Sequence, residues 1–280
     1  MRLLFISVGT LFVFGMLLLM TRFWGLSQGY QAFAHPFLEP AKPWYAVQVF
    51  DLKEATSLVQ KKNDVIFWLD LAKTQDNQFL VINPHRRVDL TPELMKDAYH
   101  GEKTYFYDLR VLRIAYDQES LLQEFLEKFP TTRMILNVRD NAMAVHTSIV
   151  DLINLQKASS RVLIQSDTEL VLKTVKDLQP LWLYGTSRSD TMKLLSFESI
   201  GLLPTCSFMG DVFIAPFKIH GRPAFNAAVL EEVRRRQKTI FLGPLENEAE
   251  VLAAHGLKPD AFIYANSEIF LKDLDQHPAQ

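Results

Sequence analysis

Along the chain, short apolar runs alternate with longer stretches whose apolar positions recur at helical spacing. From Gln28 onward this alternation predicts strand and helix units and a mainly parallel sheet. Strands are expected to begin at Tyr30, Asp64, Phe79, Arg133, Arg161, Leu181, Val212, Thr239 and Ala261. Helical patterns lie between them, at Ser120 to Phe129, Asp151 to Lys157, Glu169 to Leu178, Ala227 to Gln237 and Asn247 to His255. Eight or nine strands with intervening helices fit a (β/α)8 TIM barrel over residues 28–280 better than an open doubly wound sheet. No glycine-rich phosphate loop follows any of these strands, which weakens a nucleotide-binding reading.

The first stretch has a different pattern. Leu3 to Met20 carries no charge and is bounded by Arg2 and by Thr21, Arg22 and Trp24, which predicts one transmembrane helix and a short linker over residues 1–27. The apolar run exceeds the usual signal-peptide core of about 7 to 15 residues, and no small-x-small cleavage site follows at once. An uncleaved anchor is therefore expected, with the barrel on the periplasmic or extracellular side and the membrane as a partner.

Composition narrows the picture. With 48% hydrophobic and 22% charged residues, the 280-residue chain can bury one sizeable core. A net charge of −2 provides no field that would gather a phosphate backbone, so nucleic acid is not an expected partner. The single cysteine, Cys206, excludes an internal disulfide and a cysteine-based metal site.

Candidate chemistry concentrates between Asn63 and Arg87, NDVIFWLDLAKTQDNQFLVINPHRR. It reads as a buried strand with one acid, Asp70, near its end, then a polar turn, a second short strand and a basic mouth of His85, Arg86 and Arg87. Residues just past strand ends carry the chemistry of α/β barrels. The remaining histidines, His100, His146, His220, His255 and His277, show no ligand spacing and are assigned no role. The run Arg234 to Arg236 with Lys238 reads as surface charge or a weak membrane contact.

The order of pieces from about Tyr30 to Leu271 resembles the glycerophosphodiester phosphodiesterase family. The Ala34-His35-Pro36 triplet stands where that family has its first-strand His-Arg-Gly. DVIFWLDLAKTQDNQFLVINP is similar to its Glu-x-Asp strand, turn and His-Asp strand end. SLLQEFLEKFPTTRMILNVR and RVLIQSDTELVLKTVKDLQP follow its next two units, and TIFLGPLENEAEVLAAHGLKPDAFIYANSEIFLKDL has the cadence of its closing ones.

The resemblance implies a TIM barrel that hydrolyses a glycerophosphodiester with two histidines and a divalent cation such as Mg2+ or Ca2+. Carboxylates from strands two and four would hold such a cation. The sequence keeps only part of that set. Asp70 matches the aspartate, while Trp68 replaces the glutamate, Asn137 the strand-four carboxylate and Asn83 the second histidine. Pro36 replaces the phosphate-binding arginine, and Arg139 keeps the strand-four positive charge.

The candidate catalytic residues are therefore His35 and His85, and the candidate ligand-binding residues Arg139 and Arg86. Asp70 would hold a cation if one binds, or pair with Arg139. Three readings follow. In the first, metal-dependent hydrolysis is impaired, no cofactor is needed, and the barrel binds a phosphorylated ligand such as a glycerophosphodiester or phospholipid headgroup. The second is an active phosphoric diester hydrolase of lipid metabolism with an altered site, and the third a non-catalytic envelope scaffold.

Overall fold

In the computed structural model, residues 2–74, 77–83, 120–139, 144–219 and 221–277 are described. Eight strands form the barrel. They are β1 (Trp44–Gln48), β2 (Ile66–Lys73), β4 (Met134–Val138), β5 (Val162–Gln165), β6 (Leu183–Tyr184), β7 (Val212–Ala215), β10 (Thr239–Leu245) and β11 (Ala261–Tyr264). Their order is β6-β5-β4-β2-β1-β11-β10-β7, all neighbours parallel, and a parallel bridge from Gly185 to Val212 joins the two ends. A nearly closed parallel barrel is thus present, as the alternating pattern predicts.

Two departures from the expected strands matter. β3 (Phe79–Val81) is not a stave; it pairs antiparallel with the overhanging end of β2. The first stave starts at Trp44, not Tyr30. Pro36 sits at the start of a 3-10 turn, Pro36–Leu38, and this imposes a local turn where the pattern predicts a strand. WYAVQ is fully buried and takes the place in the sheet. A short hairpin, β8 (Lys218–Ile219) with β9 (Arg222–Pro223), follows β7.

Around the barrel lie α2 (Leu52–Lys61), α3 (Leu122–Lys128), α4 (Val145–Leu155), α5 (Glu169–Leu178), α6 (Arg188–Ser199), α7 (Ala227–Arg235), α8 (Glu248–Leu257) and α9 (Ser267–Gln276). Several begin after a residue whose side chain caps the helix. Asp51, Ser187, Asn226, Asn247 and Asn266 each accept a backbone N–H of the first turn.

Strand alternation divides the apolar residues into two cores. Outward positions such as Val47, Phe67, Leu69, Leu136, Phe213 and Phe262 pack under the helices. Inward positions, among them Trp44, Ile66, Trp68, Ile135, Leu163 and Phe241, fill the barrel itself. Gly243 is required where β10 crowds β11. At φ +141° a Cβ would lie 2.3 Å from the carbonyl oxygen of Ile263.

The amino-terminal segment is helical, α1 (Arg2–Leu26). Among the described residues, however, no helix is long and apolar enough to cross a membrane, so a helix is found there and not a demonstrated span. Its last turn docks on the base of the barrel, the face at the amino ends of the strands. A Cβ on Gly25 would lie 2.7 Å from the backbone of Pro204, which sits in the loop leading into β7. Arg235, at the end of α7, donates to the carbonyls of Gly25, Leu26 and Gln28 at 3.2 to 3.3 Å.

Arg235 and Arg236 are therefore not the surface charge that the sequence predicts, whereas Arg234 is exposed. Arg235 and Arg236 both bond Glu232, a 5% exposed carboxylate, and Arg236 also donates to the carbonyls of Leu203 and Pro204. They lock the base and do not form a free basic surface.

Candidate functional site

At the opposite, carboxyl ends of the strands, the inward alternation brings four polar side chains into one layer. They are Gln48 of β1, Asp70 of β2, Asn137 of β4 and Gln165 of β5. Register sets three of them side by side, Asp70 with Asn137 and Asn137 with Gln165, while Gln48 pairs with Trp68 and reaches Asp70 through its side chain. All four are buried.

Asp70 is the hub. Asn137 Nδ2 donates to its Oδ1 at 2.6 Å, Arg139 Nη1 to the same oxygen at 3.2 Å, and Gln48 Nε2 to Oδ2 at 3.3 Å. The ion pair to Arg139 that the sequence allows is therefore formed. Burial pushes the Asp70 carboxyl above its ordinary value, against the opposing pull of Arg139 and Asn137. Trp68 Nε1 lies close enough to favour the charged form as well, but makes no hydrogen bond of acceptable geometry.

Trp68 projects into the barrel on the same side as Asp70, as strand alternation requires, and is 5% exposed. Its indole, with Gln48, Asn137, Arg139, Gln165 and Thr186, lines a cavity of about 280 Å³ at the mouth. The exposed side chains of Arg188 and Lys218 add positive charge to this lining, and Asp167 one negative charge. Four polar atoms of this layer have no hydrogen-bond partner among the described residues: Gln48 Oε1, Asn137 Oδ1, Gln165 Oε1 and Trp68 Nε1.

A hard divalent cation does not fit this donor set. Among the described residues Asp70 is the only carboxylate in the layer, and the groups turned toward it are N–H donors of Asn137, Gln48 and Arg139. The amide oxygens are turned away from the carboxylate, so acid and carbonyl oxygens do not converge on one point.

The other candidate residues lie elsewhere. His35 is at the base of the barrel, not at the mouth. It precedes β1 and caps the 3-10 turn, with Nδ1 accepting from Phe37 N at 3.2 Å. Its surroundings, Ser159 and Asp211, stand just before β5 and β7. Burial lowers its pKa. A strand rises about 3.3 Å per residue, so roughly 13 Å separates the two ends of a five-residue stave. His35 therefore does not stand at the carboxyl end of the first strand; Gln48 occupies that place. His85 and Arg86 lie outside the described residues.

Sequence reasoning does not single out Gln48 and Gln165, although a signal is present. In IFWLD, RMILN and RVLIQ the polar residue stands two places after an inward apolar one, at the strand's last turns. Recognising WYAVQ as the first stave would have completed the ring.

No protein-family model matches the sequence, and no curated protein matches it. Solved structures do match in fold. A Galdieria sulphuraria protein proposed to be a glycerophosphodiester phosphodiesterase has a TM-score of 0.61 at 12% identity, covering 85% of this chain and 99% of its own. The Thermotoga maritima glycerophosphodiester phosphodiesterase has a TM-score of 0.56 at 15% identity, covering 84% and 99%. An Oleispira antarctica phosphodiesterase in complex with the product sn-glycerol-3-phosphate has a TM-score of 0.57 at 12% identity, covering 84% and 97%. Over most of its length, then, this chain has the barrel fold of the glycerophosphodiester phosphodiesterases.

Proposed function

We propose that this chain is a divergent relative of those phosphodiesterases whose mouth binds a small phosphorylated polyol without metal-dependent hydrolysis. The observation that carries this reading is the state of the mouth layer: one carboxylate already held by three donors, beside three amide oxygens and an indole N–H without partners among the described residues. Leaving a buried polar group unpaired costs about 1 to 3 kcal/mol, and a ligand rich in hydroxyls returns part of that cost. Hydroxyl groups donate to Gln48, Asn137 and Gln165, while the phosphate faces Arg139, Arg188 and Lys218. Glycerol phosphate and its diesters have this chemistry.

In the same reading the uncharged stretch Leu3 to Met20 associates the barrel with a membrane, on its periplasmic or extracellular side.

The test uses the full chain in detergent, with glycerophosphocholine and sn-glycerol 3-phosphate, each with Mg2+, Ca2+ or Mn2+. Calorimetric binding that weakens at least about tenfold in Arg139→Ala, with no turnover above background, is expected. Cation-dependent turnover would instead establish the altered but active hydrolase. Membrane fractions washed with carbonate should retain the full chain and release one beginning at Gln28.

A further inference from the structure

On the outside of the barrel, away from the mouth, three side chains that take no part in ligand binding there converge. His255 comes from the end of α8, Asp273 from α9, and His277 from the residue that closes α9. His255 Nε2 and His277 Nδ1 each lie 3.0 Å from the same oxygen, Asp273 Oδ1. The two rings are 4.5 Å apart between centroids. One potential ligand atom from each residue lies within 4.8 Å of the other two.

We propose that His255, Asp273 and His277 form a zinc site that fastens the end of α9 to α8. Two imidazoles and one carboxylate are the donor set of an open zinc site, with water as the fourth ligand. A zinc ion needs nitrogen and oxygen atoms about 2.0 to 2.2 Å away, so tetrahedral neighbours stand roughly 3.3 to 3.5 Å apart. Both histidine nitrogens are near that spacing from Asp273 Oδ1 and within 4.8 Å of one another, so a modest opening of the exposed His277 ring makes room for the ion.

The carboxylate is placed to serve. Asp273 is 4% exposed, and the Tyr264 hydroxyl of β11 donates to its Oδ2, which fixes the group; Oδ1 meets both histidines, and Oδ2 lies 3.2 Å from His255 Nε2 as well. Such a hydrogen bond to a ligating carboxylate is the usual outer support of a metal site. Access is open: the side chains of His255 and His277 are 28% and 50% exposed and line a groove at the barrel base. Among the described residues no other group of three histidine, cysteine or acidic side chains converges in this way.

The site is tested with the tag-free full chain, stripped with chelator and titrated with Zn2+ by calorimetry and with Co2+ by visible absorption. One ion per chain should bind, with a dissociation constant below about 100 μM. His277→Ala and His255→Ala should each abolish it, and Tyr264→Phe should weaken it about tenfold. His277 is exposed, so its loss leaves the fold intact and the result interpretable. Asp70→Asn, at the mouth, should leave zinc binding unchanged, which separates this site from the one proposed there. Failure to bind Zn2+ at that concentration, or binding unmoved by both histidine substitutions, overturns the proposal.

Discussion

The two ends of the barrel treat buried polar groups in opposite ways. At the base, Glu232 is bonded by Arg235 and Arg236, Arg161 by the carbonyls of Leu126, Phe129 and Thr132, and Arg133 by those of Phe37 and Asp64. At the mouth, Gln48, Trp68, Asn137 and Gln165 each keep a polar atom without a partner among the described residues. Among the described residues, the Asp190 carboxylate, in the first turn of α6 on the mouth side, has no hydrogen bond and a 3.6 Å ion pair to Lys193. Buried polar groups that serve stability are satisfied, and exceptions mark places built for something else. Among the described residues the base is finished by the chain itself, while the mouth is not.

The largest expected effect tests the finished end. Glu232→Ala leaves Arg236, 4% exposed, as a buried cation without its counter-charge. Breaking such a pair costs about 3 to 5 kcal/mol, measurable by urea denaturation. Burial alone would raise the Glu232 carboxyl, but hydrogen bonds from Arg235 and Arg236 outweigh it and hold it below its ordinary value. A depressed carboxylate contributes stability that is present above its unfolded pKa of 4.5 and lost as pH falls through its folded value. The variant should lose that acid-side slope. A cost below about 1 kcal/mol would mean the base is not the locked end.

How much of this is legible in the sequence follows from which physics each feature depends on. The staves at Val162, Val212, Thr239 and Ala261 are short apolar runs buried along most of their length, and the sequence pattern finds them. Alternation also puts Trp68 and Asp70 on one side, and the bond from Arg139 to Asp70 can be anticipated from two strands ending together. His35 is misplaced by the motif because a three-residue match outweighs Pro36, whose turn keeps the chain at the base for another stave length. The role of Arg235 and Arg236 is not legible at all. That of Arg235 depends on α1 returning to the same face, a contact between residues some 210 positions apart, and that of Arg236 on the loop before β7, 32 and 33 positions away. The convergence of His255 with His277 is hidden in the same way, since Asp273 and the packing of two helices create it.

A smaller effect is expected at His35, the base residue that the family resemblance would make catalytic. Its Nδ1 accepts the Phe37 N–H, so His35→Ala should cost about 1 kcal/mol, as the loss of a cap does. Burial lowers its pKa below 6.5, so the unfolded chain binds the proton more readily. Stability from the neutral ring is full above 6.5 and declines as pH falls toward the folded value. Ligand binding at the mouth should not change. If His35→Ala abolished binding while leaving the chain folded, the separation of the two ends would fail.

The smallest expected effect on stability is at the mouth itself. Asp70→Asn keeps the shape of the side chain and an oxygen in place of Oδ1 to accept from Asn137. Its NH2 takes the place of Oδ2, where the Gln48 amide, turned over, accepts through the Oε1 that is otherwise unpartnered, and Arg139, partly exposed, can turn to water. The change should shift stability at pH 7 by less than about 1 kcal/mol, because a buried ion pair gains little over a neutral replacement of the same shape. The pH profile is the sharper readout. Burial raises the Asp70 carboxyl above its unfolded 3.8, so the folded chain holds the proton more tightly. That contribution is full below 3.8 and lost as pH rises through the folded value, the reverse of Glu232. Urea midpoints from about pH 3 to 6 should therefore show a slope in the native protein that Asp70→Asn removes. If the slope instead had the sign found at Glu232, the mouth carboxylate would be as well satisfied as the base, and the contrast between the two ends would collapse.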